Sequence, residues 1–275
     1  MENLYNKYLK IKAWLYSKRP NGLQLKARPP KNYKRTFYDN FQKGLRSNEW
    51  YIGARWGRFF VHRLDFYWDK DAITINKKGI NFHIIKRPKT FIKKDLPKWE
   101  QHTSLPEQWT ATHMNGMISS NRLYGTNTWI EITATLPESK FQWSAFWTCG
   151  LSTWPPEIDI YEAFTKDDPK KSFEISPNIH RRITHVTTEG IGHDPIPIKN
   201  PMNREVQYAV HWTNSFVKFY YDGILIKKVT DKEFIEKLSI PQYIILNNGY
   251  RDELYGDENV ESTLTVKEIK IYQAN

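Results

Sequence analysis

From Phe37 onward apolar and polar residues alternate in short runs, each closed by a polar turn. A period of two sends successive side chains to opposite faces, so each run predicts a strand with one buried face. Ala72-Ile73-Thr74-Ile75-Asn76 and the run Gly79–Ile85, separated by Lys77-Lys78, predict a hairpin. Further strands are predicted at Met117–Ser120, Trp129–Leu136, Trp143–Trp147, Val206–Trp212, Val217–Tyr221, Ile224–Val229, Tyr243–Leu246 and Ser262–Tyr272. Helical spacing returns only briefly, over Asp231–Leu238. So many short strands with polar turns, and no internal repeat, predict an all-β sandwich of two sheets.

One predicted strand breaks the alternation. In Trp154-Pro155-Pro156-Glu157-Ile158-Asp159-Ile160-Tyr161-Glu162, Glu157 and Asp159 share a face, with Ile158 and Ile160 opposite. Strict alternation then turns Glu162 away. One extra residue after Asp159, a β-bulge, returns Glu162 to the face of Glu157. Three carboxylates on one strand face repel one another, and a sequence that keeps them there has a use for them.

Before residue 37 the pattern is different. Leu4, Tyr8, Ile11 and Leu15, joined by Tyr5 and Trp14, follow helical spacing, with Asn3 as a cap and Pro20-Asn21-Gly22 as a stop. The longest apolar run there, Ala13–Tyr16, is too short for the core of a secretory signal. A basic amphipathic helix lies on a membrane, binds a partner or packs on its own domain, and the sequence leaves these open. Residues 18–35, with Pro20, Pro29 and Pro30, read as a linker or strap. The predicted organisation is therefore a basic arm over 1–36 and one β domain over 37–275.

Charge sharpens that division. The formal net charge is +11, but residues 1–36 hold ten Lys and Arg against Glu2 alone. The rest of the chain carries 31 basic and 29 acidic residues and is close to neutral. Basicity thus belongs to the arm and implies nothing about partners of the body. No nucleic-acid reader motif is present, and no nucleic-acid partner is expected. A single cysteine, Cys149, excludes an internal disulfide. No apolar run is long enough to span a membrane as a helix. The 11 Trp, 16 Tyr and 14 Phe residues exceed what a core needs, and a wet cleft lined with rings accounts for the surplus.

Paired carboxyl groups flanking a glycosidic bond are the equipment of glycoside hydrolysis, one attacking and the other transferring the proton. A third acid between them helps hold their pKa values apart. Four strand steps separate α-carbons by roughly 13 Å, so the bulge and two long Glu side chains must close the gap. The alternatives for the three acids are a calcium site, which prefers loop oxygens, and a solvated face.

The hexapeptide Glu157–Glu162 resembles the signature of glycoside hydrolase family 16 in its β-bulge form. Ordered blocks extend the resemblance over about residues 37–273. Met117–Ser120, Tyr124-Gly125 and the run 129–137 resemble the approach to the catalytic sheet. Trp143-Ser144-Ala145-Phe146-Trp147 with Gly150 resembles the segment before the catalytic strand. Tyr208–Trp212, Val217–Gly223, Pro241–Asn247 and Leu264–Tyr272 follow in the family's order. The resemblance implies a β-jelly-roll of two curved antiparallel sheets with a concave substrate cleft. It also implies retaining, endo-acting hydrolysis of a β-linked polysaccharide, either a β-1,3/1,4-glucan or a red-algal galactan, with no cofactor. A structural calcium occurs in some members, but no ligand set here assigns one.

Carried onto this chain, Glu157 is the implied nucleophile, Asp159 the assisting acid and Glu162 the acid/base. Trp147 and Trp154 are the candidate stacking rings, with core packing the alternative for Trp147 and the better reading for Trp143 and Trp212. His180 falls where members place a cleft histidine; a structural histidine is the alternative. Arg55 and Trp56 offer a distant sugar platform and an anion contact, and Asn247 a hydrogen bond to a sugar hydroxyl. Arg55, Arg58, Arg122, Arg181 and Arg182 are the cations available to a sulfated substrate. His185 and His193 lack metal-ligand spacing, so no zinc is assigned. Two departures stand out: no export signal precedes a domain suited to extracellular polysaccharide, and Ala163-Phe164-Thr165-Lys166 lacks a glycine common in the family. A non-catalytic carbohydrate-binding jelly roll is the competing reading, which the intact Glu157 and Glu162 disfavour.

Overall fold

The computed structural model describes residues 2–18, 26–60, 63–184, 187–192, 194–251 and 260–275. Sixteen strands run through these residues. The first eight are β1 (Tyr33–Asp39), β2 (Trp50–Ile52), β3 (Phe66–Trp68), β4 (Ile73–Asn76), β5 (Gly79–Ile92), β6 (Gln108–Ser120), β7 (Thr128–Thr135) and β8 (Gln142–Gly150). The rest are β9 (Glu157–Phe164), β10 (Glu174–Arg182), β11 (Thr188–Gly190), β12 (Glu205–Trp212), β13 (Val217–Tyr221), β14 (Ile224–Val229), β15 (Gln242–Tyr250) and β16 (Ser262–Ala274). Three α-helices accompany them, α1 (Glu2–Ser17), α2 (Pro169–Ser172) and α3 (Lys232–Lys237).

The strands follow one hydrogen-bonded path, β11-β10-β9-β8-β15-β6-β5-β16-β7-β12-β13-β14. The long β6 joins its two halves. Gly116–Ser119 pair with β15, while residues from Asn115 back to Gln108 pair with β5. The path thereby folds into a front layer, β11 to β6, and a back layer, β5 to β14. The layers face each other through buried side chains: Tyr161 of β9 lies against Tyr208 of β12 with ring centroids 4.4 Å apart. Ile158, Ile160 and Ala163 from the front and Val210, Phe219 and Tyr221 from the back belong to one buried cluster. This is the β-jelly-roll sandwich, its sheets antiparallel except where β3 pairs parallel with β6.

The predicted hairpin forms, with Ile73 opposite Phe82 and Ile75 opposite Ile80. Of the strap expected over 18–35, residues 19–25, including the predicted Pro20-Asn21-Gly22 stop, lie outside the described residues, and residues 33–35 belong to β1, which pairs with β16. Strands β2, β3 and β11 have three residues each, too few to display alternation, and only tertiary pairing defines them. Upstream, the Gln207 side chain accepts from the backbone nitrogen of Ala27 and donates to its carbonyl, fastening that segment to the back layer. The predicted helix is α1, but its large apolar residues do not form the packed face. Leu9 and Ala13 do, at 2 % and 1 % exposure. Asn6 donates to the carbonyl of Lys228 and accepts from its N–H, gripping the outer edge of β14.

Candidate active site

The bulge forms on β9. Across β8, Trp147 is opposite Asp159 and Phe146 opposite Tyr161, which leaves Ile160 without a partner. On the other side, Asn178 of β10 faces Asp159 and Ser176 faces Glu162. Ile160 and Tyr161 therefore both turn into the core, fully buried, and Glu162 returns to the front face. A bulge removes a carbonyl from the ladder, and a buried carbonyl needs a donor. Tyr221 supplies it from the back layer, its hydroxyl donating to the Ile160 carbonyl at 2.8 Å.

Two tryptophans and a histidine hold the acids. Trp154 donates its indole N–H to Glu157 Oε2 at 2.7 Å, and Trp143 donates to Glu162 Oε1 at 3.0 Å. His180 is the cross-strand partner of Glu157. Its Nε2 lies 3.4 Å from Glu157 Oε1 and 3.3 Å from Asp159 Oδ2. Burial, followed by the charge of Asp159, raises the Glu162 pKa to about 8, against the Trp143 hydrogen bond and the charges of His180 and Arg251. Glu157 is also raised, first by burial and then by Asp159, while the Trp154 N–H works against the rise. Burial lowers the His180 pKa, but its contact with Asp159 and the charges of Asp159 and Glu162 outweigh burial and raise it overall.

The acids line a cleft of about 440 Å³ whose walls are Trp56, Phe60, Trp143, Trp147 and Trp154, with Ala145 and Cys149 on β8. Rings run along it in sequence. Trp147 meets Trp56 at 5.8 Å, Trp56 meets Phe60 at 5.6 Å, and Phe60 meets Trp143 at 5.4 Å. Phe164 extends the row, near-parallel to Trp143 at 6.3 Å. Where Ala163-Phe164-Thr165-Lys166 lacks the family glycine, β9 continues as a strand through Phe164. Trp154 and Trp56 are the most open of the lining rings, at 47 % and 37 % exposure.

Of the residues singled out from sequence, Glu157, Asp159, Glu162, Trp56, Trp147 and Trp154 line this cleft, and His180 stands beside Glu157 and Asp159 on β10. Trp147 is only 6 % exposed and donates to Asn247 Oδ1 at 2.8 Å. Asn247 is itself buried, pairs across the ladder with cleft-facing Ala145, and also donates its amide to the Trp143 backbone carbonyl at 3.4 Å, so it fixes one cleft ring and the backbone of another. Arg55 is not in the lining. It donates to the Ser120 carbonyl and to Asn121, and stacks over Tyr243 at 5.3 Å.

The sequence reading placed Trp143 in the core. The structure instead puts it beside Glu162, and strand parity with Trp147 was the signal: Trp143, Ala145, Trp147 and Cys149 all face the cleft. Trp212 is a core residue, fully buried. Cys149 is paired across the ladder with Glu157, and burial together with that carboxylate pushes its thiol up to about 12. Phe60 arrives from a loop without any periodic signal.

Among the described residues, Glu157, Asp159 and His180 are the one group whose ligand atoms converge as a metal site requires, within 4.8 Å of one another. They are also two of the acids and the histidine gathered at the cleft. His185 and His193 lie outside the described residues.

Comparison with known proteins agrees with this architecture. Endo-1,3-1,4-beta-glycanase EglC of Rhizobium meliloti is 23 % identical over 137 residues, covering 49 % of this chain and 27 % of that protein. The chain thus spans about a quarter of that relative's length. Two solved structures share the fold: the laminarinase catalytic domain of Thermotoga maritima (TM-score 0.64, 18 % identity, 88 % of this chain and 99 % of that one) and LamAcat of Zobellia galactanivorans (TM-score 0.67, 19 % identity, 87 % and 97 %). The model of the glycosyl hydrolases family 16 matches residues 60–248, well over half of the sequence. The chain belongs to glycosyl hydrolases family 16.

Proposed function

We propose that the chain is an endo-acting, retaining hydrolase of a β-linked glucan. The observation that carries this is the bulged strand β9, which sets Glu157, Asp159 and Glu162 on the floor of a ring-walled cleft, with Glu162 holding its proton to about pH 8. In the first step Glu157 attacks the anomeric carbon, the glycosidic C–O bond breaks, and Glu162 gives its proton to the departing oxygen. In the second, water attacks the glycosyl–Glu157 ester, its proton passes to Glu162, and Glu157 leaves as a carboxylate.

Asp159 acts between them. Its Oδ2 is buried without an aligned donor, although His180 approaches it, so it is available to share a proton with Glu157. Transfer of that proton frees Glu157 to attack. Trp154 and Trp56 are the open rings on which sugar faces stack.

Two considerations favour a neutral glucan over a sulfated galactan. The relatives above are named as a β-glycanase and a laminarinase. The five arginines that a sulfate group would need also have other partners. Arg55 bonds the Ser120 carbonyl, Arg58 pairs with Glu100 and Arg122 with Glu49. Arg181 pairs with Glu189 and Glu233, and Arg182 donates to the Trp154 carbonyl.

The test is reducing-end release from laminarin and mixed-linkage glucan, with product anomers followed by NMR. Glu157→Gln is expected to lower release by roughly three orders of magnitude or more while still binding the polymer. Wild-type release from that variant would refute the assignment, and initial formation of the inverted anomer would refute retention. Binding without cleavage by the wild type would favour the carbohydrate-binding reading.

A further inference from the structure

Helix α1 has two unlike faces. The inner face is small and specific: Leu9 and Ala13 are buried, Asn6 grips Lys228, and Lys10 pairs with Asp194. The outer face carries the large apolar side chains. Leu4 is 72 % exposed, Tyr8 and Ile11 58 % each, and Leu15 55 %, with Trp14 and Tyr5 beside them at 49 % and 44 %. At 3.6 residues per turn, Leu4, Tyr8, Ile11 and Leu15 fall within an arc of roughly 60°. Lys7 and Lys18 border that arc on one side and Lys12 on the other, all exposed. Single exposed apolar residues are ordinary; a continuous stripe on a helix already anchored by its opposite face is an interaction surface.

Charge identifies the partner. Residues 3–36 contain ten Lys and Arg and no Asp or Glu. An apolar stripe edged by lysines matches the boundary of an anionic bilayer, which supplies acyl chains for the stripe and headgroup charge for its borders. We propose that α1 is a binding site for an anionic lipid surface, with Leu4, Tyr8, Ile11 and Leu15 entering the acyl boundary and Lys7, Lys12 and Lys18 meeting the headgroups. The fold holds the helix ready for this, since its inner face fixes it to β14 at the edge of the back layer. The site is independent of the cleft and of the activity proposed for it.

The experiment is cosedimentation of the full chain with vesicles of phosphatidylcholine alone and of phosphatidylcholine mixed with phosphatidylglycerol. Binding to the mixed vesicles is expected to be at least about tenfold tighter and to weaken as salt rises. The Leu4→Ser/Ile11→Ser/Leu15→Ser variant should lose at least about tenfold on both vesicle types. Lys7→Gln/Lys12→Gln/Lys18→Gln should lose the anionic preference at about fivefold per lysine. Both variants should melt at the wild-type temperature, because the replaced side chains are exposed, and should retain wild-type glucan cleavage. The proposal is overturned by absence of vesicle binding, by equal binding to both compositions, or by serine variants that bind like wild type. A wild-type dimer that the serine variant converts to monomer, without vesicle binding, would assign the stripe to a second copy of this chain instead.

Discussion

Buried Glu157 and Asp159 and half-buried Glu162 share a strand face, whereas Leu4, Tyr8, Ile11 and Leu15 occupy an exposed helix face. Each region departs from the usual partition of polar and apolar groups, in opposite directions. In the cleft, carboxyl groups are kept from water, and the fold compensates with indole donors and a histidine. On α1, apolar groups are kept in water, and nothing in the described residues covers them. The first departure raises pKa values, as the proposed proton transfer requires. The second leaves association energy unspent on folding. Functional sites are where local rules of burial are broken, and the direction of the break indicates the chemistry.

After the loss expected for Glu157→Gln, the largest effect should come from neutralising the proposed proton donor. Glu162→Gln is expected to lower kcat by on the order of 10² to 10⁴, measured as reducing-end release. Because the folded Glu162 holds its proton to about pH 8, wild-type kcat/KM should fall as pH rises through that value. The same shift has a stability consequence. A carboxyl group whose folded pKa is raised makes the native state bind more protons than the unfolded chain, so stability falls with rising pH between the unfolded value and about 8. Glu157 acts with the same sign. Melting temperature followed against pH should show this decline in the wild type and a shallower one in Glu162→Gln. A slope unchanged by the substitution would mean that the cleft does not hold this carboxyl as described.

An intermediate effect should follow from Tyr221→Phe, which removes the donor to the buried Ile160 carbonyl beneath the bulge. A loss of about 1–3 kcal/mol is expected from denaturant unfolding, with a fall in kcat as Glu162 loses its support. On α1 the contrast is direct: exposed Ile11→Ser should change stability within about 0.5 kcal/mol. Equal losses at the two positions would erase the distinction between them.

The smallest effect should belong to Trp143→Phe. It keeps the cleft ring and deletes the N–H that lowers the Glu162 pKa, so the alkaline limb of kcat/KM should move upward with only a severalfold change in the maximum. A downward shift would show that the indole does not stabilise the ionised form. Chelator treatment should leave cleavage unchanged, which a cation held by Glu157, Asp159 and His180 would contradict.

Much of this was legible in the chain. Period-two alternation located the long strands, and the spacing of Glu157, Asp159 and Glu162 implied the bulge before any coordinates, because no regular strand puts all three on one face. Trp143 was also within reach, through its parity with Trp147 on β8. Its reading as core shows that parity should be weighed before ring size. The face of α1 was not legible in the same way. The apolar spacing correctly predicted a helix, but spacing does not say which stripe packs, and the smaller Leu9 and Ala13 took that place.

The sequence by itself determined the strands, the bulge, the family resemblance and the segregation of positive charge to the first 36 residues. All of these follow from order along the chain: periodicity, spacing and composition are one-dimensional properties. Tertiary structure alone decided which donor meets which acid, that Tyr221 satisfies the Ile160 carbonyl, and that Asn247 accepts from the Trp147 indole. It also decided that the five arginines are engaged and that α1 turns its large side chains outward. Those outcomes depend on contacts between residues far apart in sequence, and burial and hydrogen bonding are properties of the neighbours that folding supplies.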